Sequence, residues 1–332
     1  MDSLTQIVLG AAIGEAVLGR KIGNKAMLYG AIAGTIPDLD VLSAFFTDKV
    51  TALEIHRGFT HSIFFSVLFA PIFAFIVTRY EKYKNLKNWS WFFFWTFITH
   101  PILDAQTTWG TQLFWPLDIR LAFKNIFVVD PLYTVPFLVF LILAMRQKKE
   151  SKKRRFYNNW GLLISSSYLI LTLVLKGISY KTFTKELSVQ NIIYKDIETK
   201  PTPLNTILWT ANVETENAFL IGHSSFLDKN PIAFSSYPKN HELLGDLAKH
   251  PKVKRMIAIS KGWYTINKKD DILYFNDLRF GALSMQPNAE NFVFKYKIEV
   301  DANGTPFFIE EPKEKSDGKK LLSELWERIK GN

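Results

Sequence analysis

The chain has no cysteine among its 332 residues. That excludes disulfides and thiolate ligands, so any bound metal must be held by imidazole nitrogen and carboxylate oxygen. Histidine is scarce: three of the six (His56, His61 and His100) fall in the first half and three (His223, His241 and His250) in the second. The second three have no ligand-like neighbours and read as ordinary core or surface histidines. Acid is in deficit, with 31 Asp and Glu against 41 Lys and Arg, a formal net charge of +10. Such an excess can mark a nucleic-acid binder. Here the bases concentrate in short loops between apolar runs, which membrane topology explains better, and no nucleic-acid partner is expected.

The mean hydropathy of +0.02 hides two unlike halves. Residues 1–175 are dominated by apolar runs, whereas residues 180–332 look like a soluble chain. The expected fold class is mainly α: a polytopic helical membrane domain, residues 1–178, followed by a smaller mixed α/β extracytoplasmic domain, residues 179–332. Apolar runs predict helices over 7–19, 26–46 (interrupted by Pro37-Asp38-Leu39-Asp40), 62–78, 89–105, 127–145 and 160–175. The first two fall short of a clean span of about 20 apolar residues. The tryptophans and phenylalanines at 89–97 read as interfacial anchors and packing groups. Glu15, inside the first run, is expected to pair with a nearby base or to face the loop. Basic stretches occupy alternate connections, 20–25, 79–87 and 146–155, the last with seven bases and one Glu. The positive-inside rule places all three in the cytoplasm, and so sends the segment after residue 176 outside.

That segment predicts strands over 206–213, 217–223, 256–266, 272–276 and 292–300, from alternating or β-branched and aromatic residues. Helices are predicted over 239–249 and 319–330. Asn303-Gly304 reads as a hairpin turn, and Pro312 to Lys320 as a charged connector. Asp277-Leu278-Arg279-Phe280-Gly281 reads as a strand-to-turn element with an internal ion pair.

Three motifs carry chemistry, and the alternation of basic loops puts all of them toward the outer face. His100-Pro101-Ile102-Leu103-Asp104 spaces an imidazole and a carboxylate by four, which on a helix places both on one face. Alone, such a pair is usually an ordinary helix contact. Asp38 and Asp40, spaced by two, would point apart on a regular helix, so a shared ion requires local distortion near Pro37. In His56-Arg57-Gly58-Phe59-Thr60-His61-Ser62, Gly58 permits a turn that brings two imidazoles together, and Thr60 is expected to cap a helix beginning at His61. Ionisable groups at membrane depth are costly and mark functional sites. The expected ligand set is therefore Asp38, Asp40, His56, His61, His100 and Asp104, around one or two divalent ions. Zinc is the first choice, with manganese or iron as alternatives. Arg57 is expected to hold a phosphate through its planar fork. Asp118 and Asp130 are expected as further catalytic or orienting carboxylates.

The set MDSLTQ, PDLD, HRGFTHS, HPILD, WPLD and VVDP resembles the YdjM-like family of inner-membrane metal-dependent hydrolases, over roughly residues 1–145. The family is distantly similar to zinc-dependent phospholipase C, through the Pro-Asp and His-x-x-x-Asp elements. The resemblance implies hydrolysis of a phosphoester carried by a membrane lipid or a lipid-linked substrate. It also implies a histidine near the start, where this chain has Gln6, a poor zinc ligand. The rival expectation is a non-catalytic membrane protein stabilised by its metal, whose outer domain binds a partner.

Overall fold

The structure is a computed structural model that describes residues 1–312 and 318–332. It is mixed α/β rather than mainly α: about half of it is helical, and the second half carries two antiparallel sheets. The chain divides into two compact units. The first comprises residues 1–45, 55–175 and 203–205, and the second comprises 46–54, 176–202 and 206–332.

In the first unit, helix α1 (Ser3–Ile22) starts at Asp2, whose carboxylate accepts the Thr5 amide, and ends at Gly23 with φ +63°. Helix α2 (Asn24–Thr35) returns along it. The two meet at glycines: a β-carbon built on Gly10 would lie 2.2 Å from the Gly30 carbonyl oxygen. Small residues are what let helix backbones approach this closely without polar side chains between them. After α2 the chain tightens into a 3-10 helix, Pro37–Phe45. Helix α3 (Lys49–Ile55), nearly all of it part of the second unit, follows, and the chain re-enters the first unit before a short 3-10 turn, Phe59–His61. Helix α4 (Ile63–Tyr80) is capped by Ser62, which accepts the Phe65 amide, so Ser62 takes the role expected of Thr60. Asn85 caps α5 (Leu86–Asp104). Asp130 caps α6 (Pro131–Met145), accepting the amides of Leu132 and Tyr133, with Pro131 pre-set for the first turn. Helix α7 (Lys152–Val189) has 38 residues, far more than the apolar run 160–175 suggested, because good helix formers such as lysine, arginine, glutamate and leucine extend it at both ends.

Among the described residues two helices, α4 and α7, are long and apolar enough to cross a membrane; α6 is apolar but has 15 residues. The three basic connections gather at one end of this unit. Lys25 bonds Glu81 at 2.8 Å, Asn24 donates to the Met145 carbonyl at 3.2 Å, and Arg154 donates to the Asn24 side chain at 2.6 Å. Arg154 also forms the buried partner of Glu15, with Nε 2.6 Å from Oε1, so the expected base stands 139 residues away in sequence.

The second unit is built on two four-stranded meanders. One runs β1 (Asp196–Pro201), β2 (Leu208–Glu214), β3 (Ala218–Ser225) and β4 (Phe234–Pro238). The other runs β5 (Tyr264–Lys269), β6 (Ile272–Ala282), β7 (Phe292–Val300) and β8 (Pro306–Glu310). A 3-10 segment, His241–Lys249, and helix α8 (Pro251–Ile259) separate them, and helix α9 (Gly318–Ile329) ends the unit. The strand expected over 256–266 is half wrong. His250 and Pro251 start a helix there, whose Val253 and Met256 enter the core with Val50, Ile266 and Phe275. Strands β1, β4 and β8 went unread. The 303–304 turn does join β7 to β8, with Gly304 at φ +80°. Asp277 and Arg279 form the expected internal pair on β6, Nη2 to Oδ2 at 2.6 Å, with both side chains buried. Most of the charged connector expected from Pro312 to Lys320 lies outside the described residues.

Candidate metal centre

Four of the six expected ligands converge. Asp38 from the Pro37–Phe45 segment, His61 from the turn before α4, and His100 and Asp104 from the end of α5 bring donor atoms within 4.8 Å of one another. The Nε2 atoms of His61 and His100 face each other at 3.1 Å. Asp38 Oδ1 lies 3.4 Å from each of them, and Asp104 Oδ2 lies 3.5 Å from His61 Nε2 and 3.7 Å from His100 Nε2. Zinc bonds to nitrogen and oxygen of about 2.0–2.1 Å, arranged tetrahedrally, separate neighbouring donors by about 3.3–3.4 Å. The separations among the imidazoles and from each imidazole to the two carboxylates, 3.1–3.7 Å, lie near that value.

The surroundings orient both rings. His100 Nδ1 is 2.6 Å from the Gly34 carbonyl, which can only accept, so Nδ1 carries the proton and Nε2 a lone pair. His61 Nδ1 faces Asp40 Oδ2 at 3.3 Å and the Thr60 hydroxyl oxygen at 3.1 Å; that hydroxyl donates to Asp40 at 3.2 Å. The His61 proton is thereby drawn to Nδ1 as well. The two Nε2 atoms face each other in a buried space, at hydrogen-bond distance. Beside them Asp104 Oδ2, fully buried, accepts no hydrogen bond. Each group fits a divalent ion: borderline imidazole nitrogens and hard carboxylate oxygens, with the far side of each ring tied to an oxygen acceptor.

The other oxygen of Asp104 is already engaged. It accepts from the Met1 amine and from Gln6 Nε2 at 2.8 Å, so Asp104 offers one atom to an ion. Gln6 thus steadies a ligand carboxylate and is not itself among the four converging residues. Arg57, with a positive φ of 58°, sends its Nε to within 2.9 Å of Asp104 Oδ2 and its Nη1 to Thr107 at 2.8 Å. Its charge pairs with Asp104.

Asp40 and His56 are not in the donor set. Asp40 Oδ1 meets His56 Nδ1 at 3.0 Å, and Asp40 Oδ2 accepts the Arg57 amide at 2.7 Å. Asp40 therefore holds the loop and the back of His61, and His56 is its partner on the solvent side, 29% exposed and packed against Trp109. Asp118 is exposed and bonded to Gln112 at 3.0 Å. Asp130 is the α6 cap and accepts the Tyr168 hydroxyl at 3.0 Å; neither carboxylate reaches the cluster. The sequence reading missed the Gly34 carbonyl, which no side-chain pattern marks. It also missed Thr107, signalled only by its place three residues after Asp104.

A family model described as YdjM inner membrane protein matches residues 1–181. The chain belongs to the YdjM inner membrane protein family. The matched span holds all four converging residues and helices α1 to α6. Inner membrane protein YbcI of Escherichia coli (strain K12) is 30% identical over 112 residues, which are 34% of this chain and 64% of that relative. The similarity thus spans less than two thirds of the relative's length. No solved structure matches the chain. As a YdjM-family member the chain is an inner membrane protein, and α4 and α7 supply helices fit to span one.

Proposed function

We propose that this YdjM-family chain is a multi-pass, metal-dependent hydrolase of the inner membrane whose site opens on the outer side. In this reading α1, α2, α5 and α6 join α4 and α7 in the bundle, and the second unit is extracytoplasmic. The gathering of the three basic connections at the end of the bundle opposite the cluster supports that orientation. The observation that carries the hydrolase reading is the pair of buried Nε2 atoms converging with two carboxylate oxygens, all within 4.8 Å of one another. Zinc suits this mixed set best, and one set of four donors accounts for one ion.

A divalent ion there supplies Lewis acidity, polarising a phosphoryl oxygen and acidifying a water. The protein does the rest. Arg57, Gln6 and Thr107 hold Asp104 so that it does not swing away, and Asp40 fixes the ring of His61. His56, oriented by Asp40 at the exposed side, is the group placed to accept a proton. The substrate is a phosphoester borne by a lipid or held near the bilayer.

One feature favours a second reading. Four protein donors already complete a tetrahedron, as in structural zinc sites, whereas catalytic sites keep a position open. Elemental analysis of the purified full-length protein, wild type against His61→Ala and Asp104→Ala, tests the site. About one metal per chain in the wild type and none in either variant is expected, together with loss of phosphodiesterase activity. Metal retained in both variants overturns the coordination. Metal lost without any wild-type hydrolysis leaves the structural reading.

A further inference from the structure

The loops around the cluster carry a surface that the metal chemistry does not use. In the Pro37–Phe45 segment three residues make a turn, so positions three apart eclipse. Leu39, Leu42 and Phe45 therefore form one stripe, and they are 55%, 47% and 80% exposed. The acids of the same segment point elsewhere, Asp38 to the donor set and Asp40 to His56 and His61.

A second loop answers the first. Residues 111–121 close as a small hairpin through the Thr111–Leu121 bridge. They are fastened to the metal loop by Gln112 N donating to the Arg57 carbonyl at 2.9 Å and by Ile63 N donating to the Leu113 carbonyl at 3.0 Å. Trp115 packs on Phe59 with ring centroids 5.0 Å apart. Outward from this hairpin point Phe114, Leu117 and Ile119, 46%, 58% and 50% exposed. Two apolar fringes thus flank one ionic centre, where a mouth bathed in water would carry polar residues. Phe64 of α4 meets Trp115 with ring centroids 5.7 Å apart, and Phe64, Val67 and Leu68 are exposed on a helix long and apolar enough to span a membrane.

We infer that these two loops are interfacial elements sunk among the lipids of the outer leaflet, so that the centre receives its substrate sideways from the bilayer as an intact amphiphile. This rests on the hydrolase reading for its chemistry, but the seating of the loops is a separate physical claim. An apolar stripe at this level is buried about 5–10 Å into the boundary between headgroups and acyl chains. A phosphoester at the headgroup level then lies beside Asp38, the partly exposed member of the donor set, and its chains remain in lipid.

The absence of cysteine makes the test clean. Leu42→Cys, Phe45→Cys and Leu117→Cys are each labelled with a nitroxide in the full-length protein, in vesicles of phosphatidylethanolamine and phosphatidylglycerol. Ile72→Cys on the outer face of α4 is the lipid reference and Asp301→Cys the aqueous one. Collision with dissolved oxygen is expected to exceed collision with a water-soluble nickel chelate at the three loop positions, as at Ile72, with the order reversed at Asp301. Nickel accessibility at the loops like that at Asp301 overturns the inference. So does protection from both reagents, which would mean that protein covers them. Metal content measured on the same samples separates this failure from failure of the metal site.

Discussion

Replacing Asp40 by asparagine separates the ligand set found in the structure from the larger one suggested by the sequence. Asp40 is not among the four converging donors. Its Oδ2 accepts the Arg57 amide at 2.7 Å and faces His61 Nδ1 at 3.3 Å, while its Oδ1 meets His56 at 3.0 Å. Asparagine preserves the shape but removes the negative charge behind the imidazole, so His61 becomes a weaker base held in a looser orientation. Partners of this kind are worth roughly 10–100-fold in metal affinity, or about 1.4–2.7 kcal/mol. Competition against a chelator of known affinity is the assay, run on the wild type, Asp40→Asn, His56→Ala and Asp104→Ala. Asp40→Asn is expected to weaken binding within that range. His56→Ala should leave it nearly unchanged, and Asp104→Ala should abolish it. Unaltered affinity in Asp40→Asn refutes the reasoning. Loss as complete as that in Asp104→Ala returns Asp40 to the ligands.

Other outcomes follow from the packing. Gly10→Ala forces a methyl against the Gly30 carbonyl and parts α1 from α2; a loss of about 1–3 kcal/mol is expected, read by denaturant unfolding in detergent. Arg154→Met strands the buried Glu15 carboxylate and should cost about 3–5 kcal/mol, whereas the double change with Glu15→Met should recover most of that, by the same measurement. In the second unit, burial pushes His223 down to about 4, helped by the nearby cations Arg328 and Lys200. The folded form thus binds fewer protons than the unfolded chain below pH 6.5, and the stability of this unit should be complete above that pH and fall as pH drops toward 4. His223→Gln should flatten that slope in tryptophan-fluorescence unfolding curves. A reporter fused at Lys153 should signal from the cytoplasm, and an external signal reverses the proposed orientation.

The parts of the site that could be read in advance were those whose spacing acts within one element. His100 and Asp104 share a face of α5 because four residues make about one turn. Asp130-Pro131 announces a helix start, and it is one; that explained its residues without any metal. The two-residue spacing of Asp38 and Asp40 carried the right warning, since the 3-10 segment turns them to different partners. It could not say which of the two would meet the ion. Arg57 looked like a free phosphate fork because its partner, Asp104, lies 47 positions on, a tertiary fact no local pattern encodes. The same limit hid the partner of Glu15. In the second unit, Met256–Ile259 read as strand because short apolar runs do not distinguish strand from helix; the start signal at Pro251 decided for helix.

The Gly34 carbonyl that receives His100 sits where α2 is pressed against α1 by a seam of glycines. The centre is therefore assembled from four stretches of polypeptide, and none of them can bind an ion alone. With the metal centre proposed above, a newly made chain would acquire its ion only once the first two helices had zipped and the fifth had docked, so loading would serve as a checkpoint on folding. Chelation of a bound ion should correspondingly loosen the packing of these stretches and not merely empty a pocket, because a shared ion would tie them together.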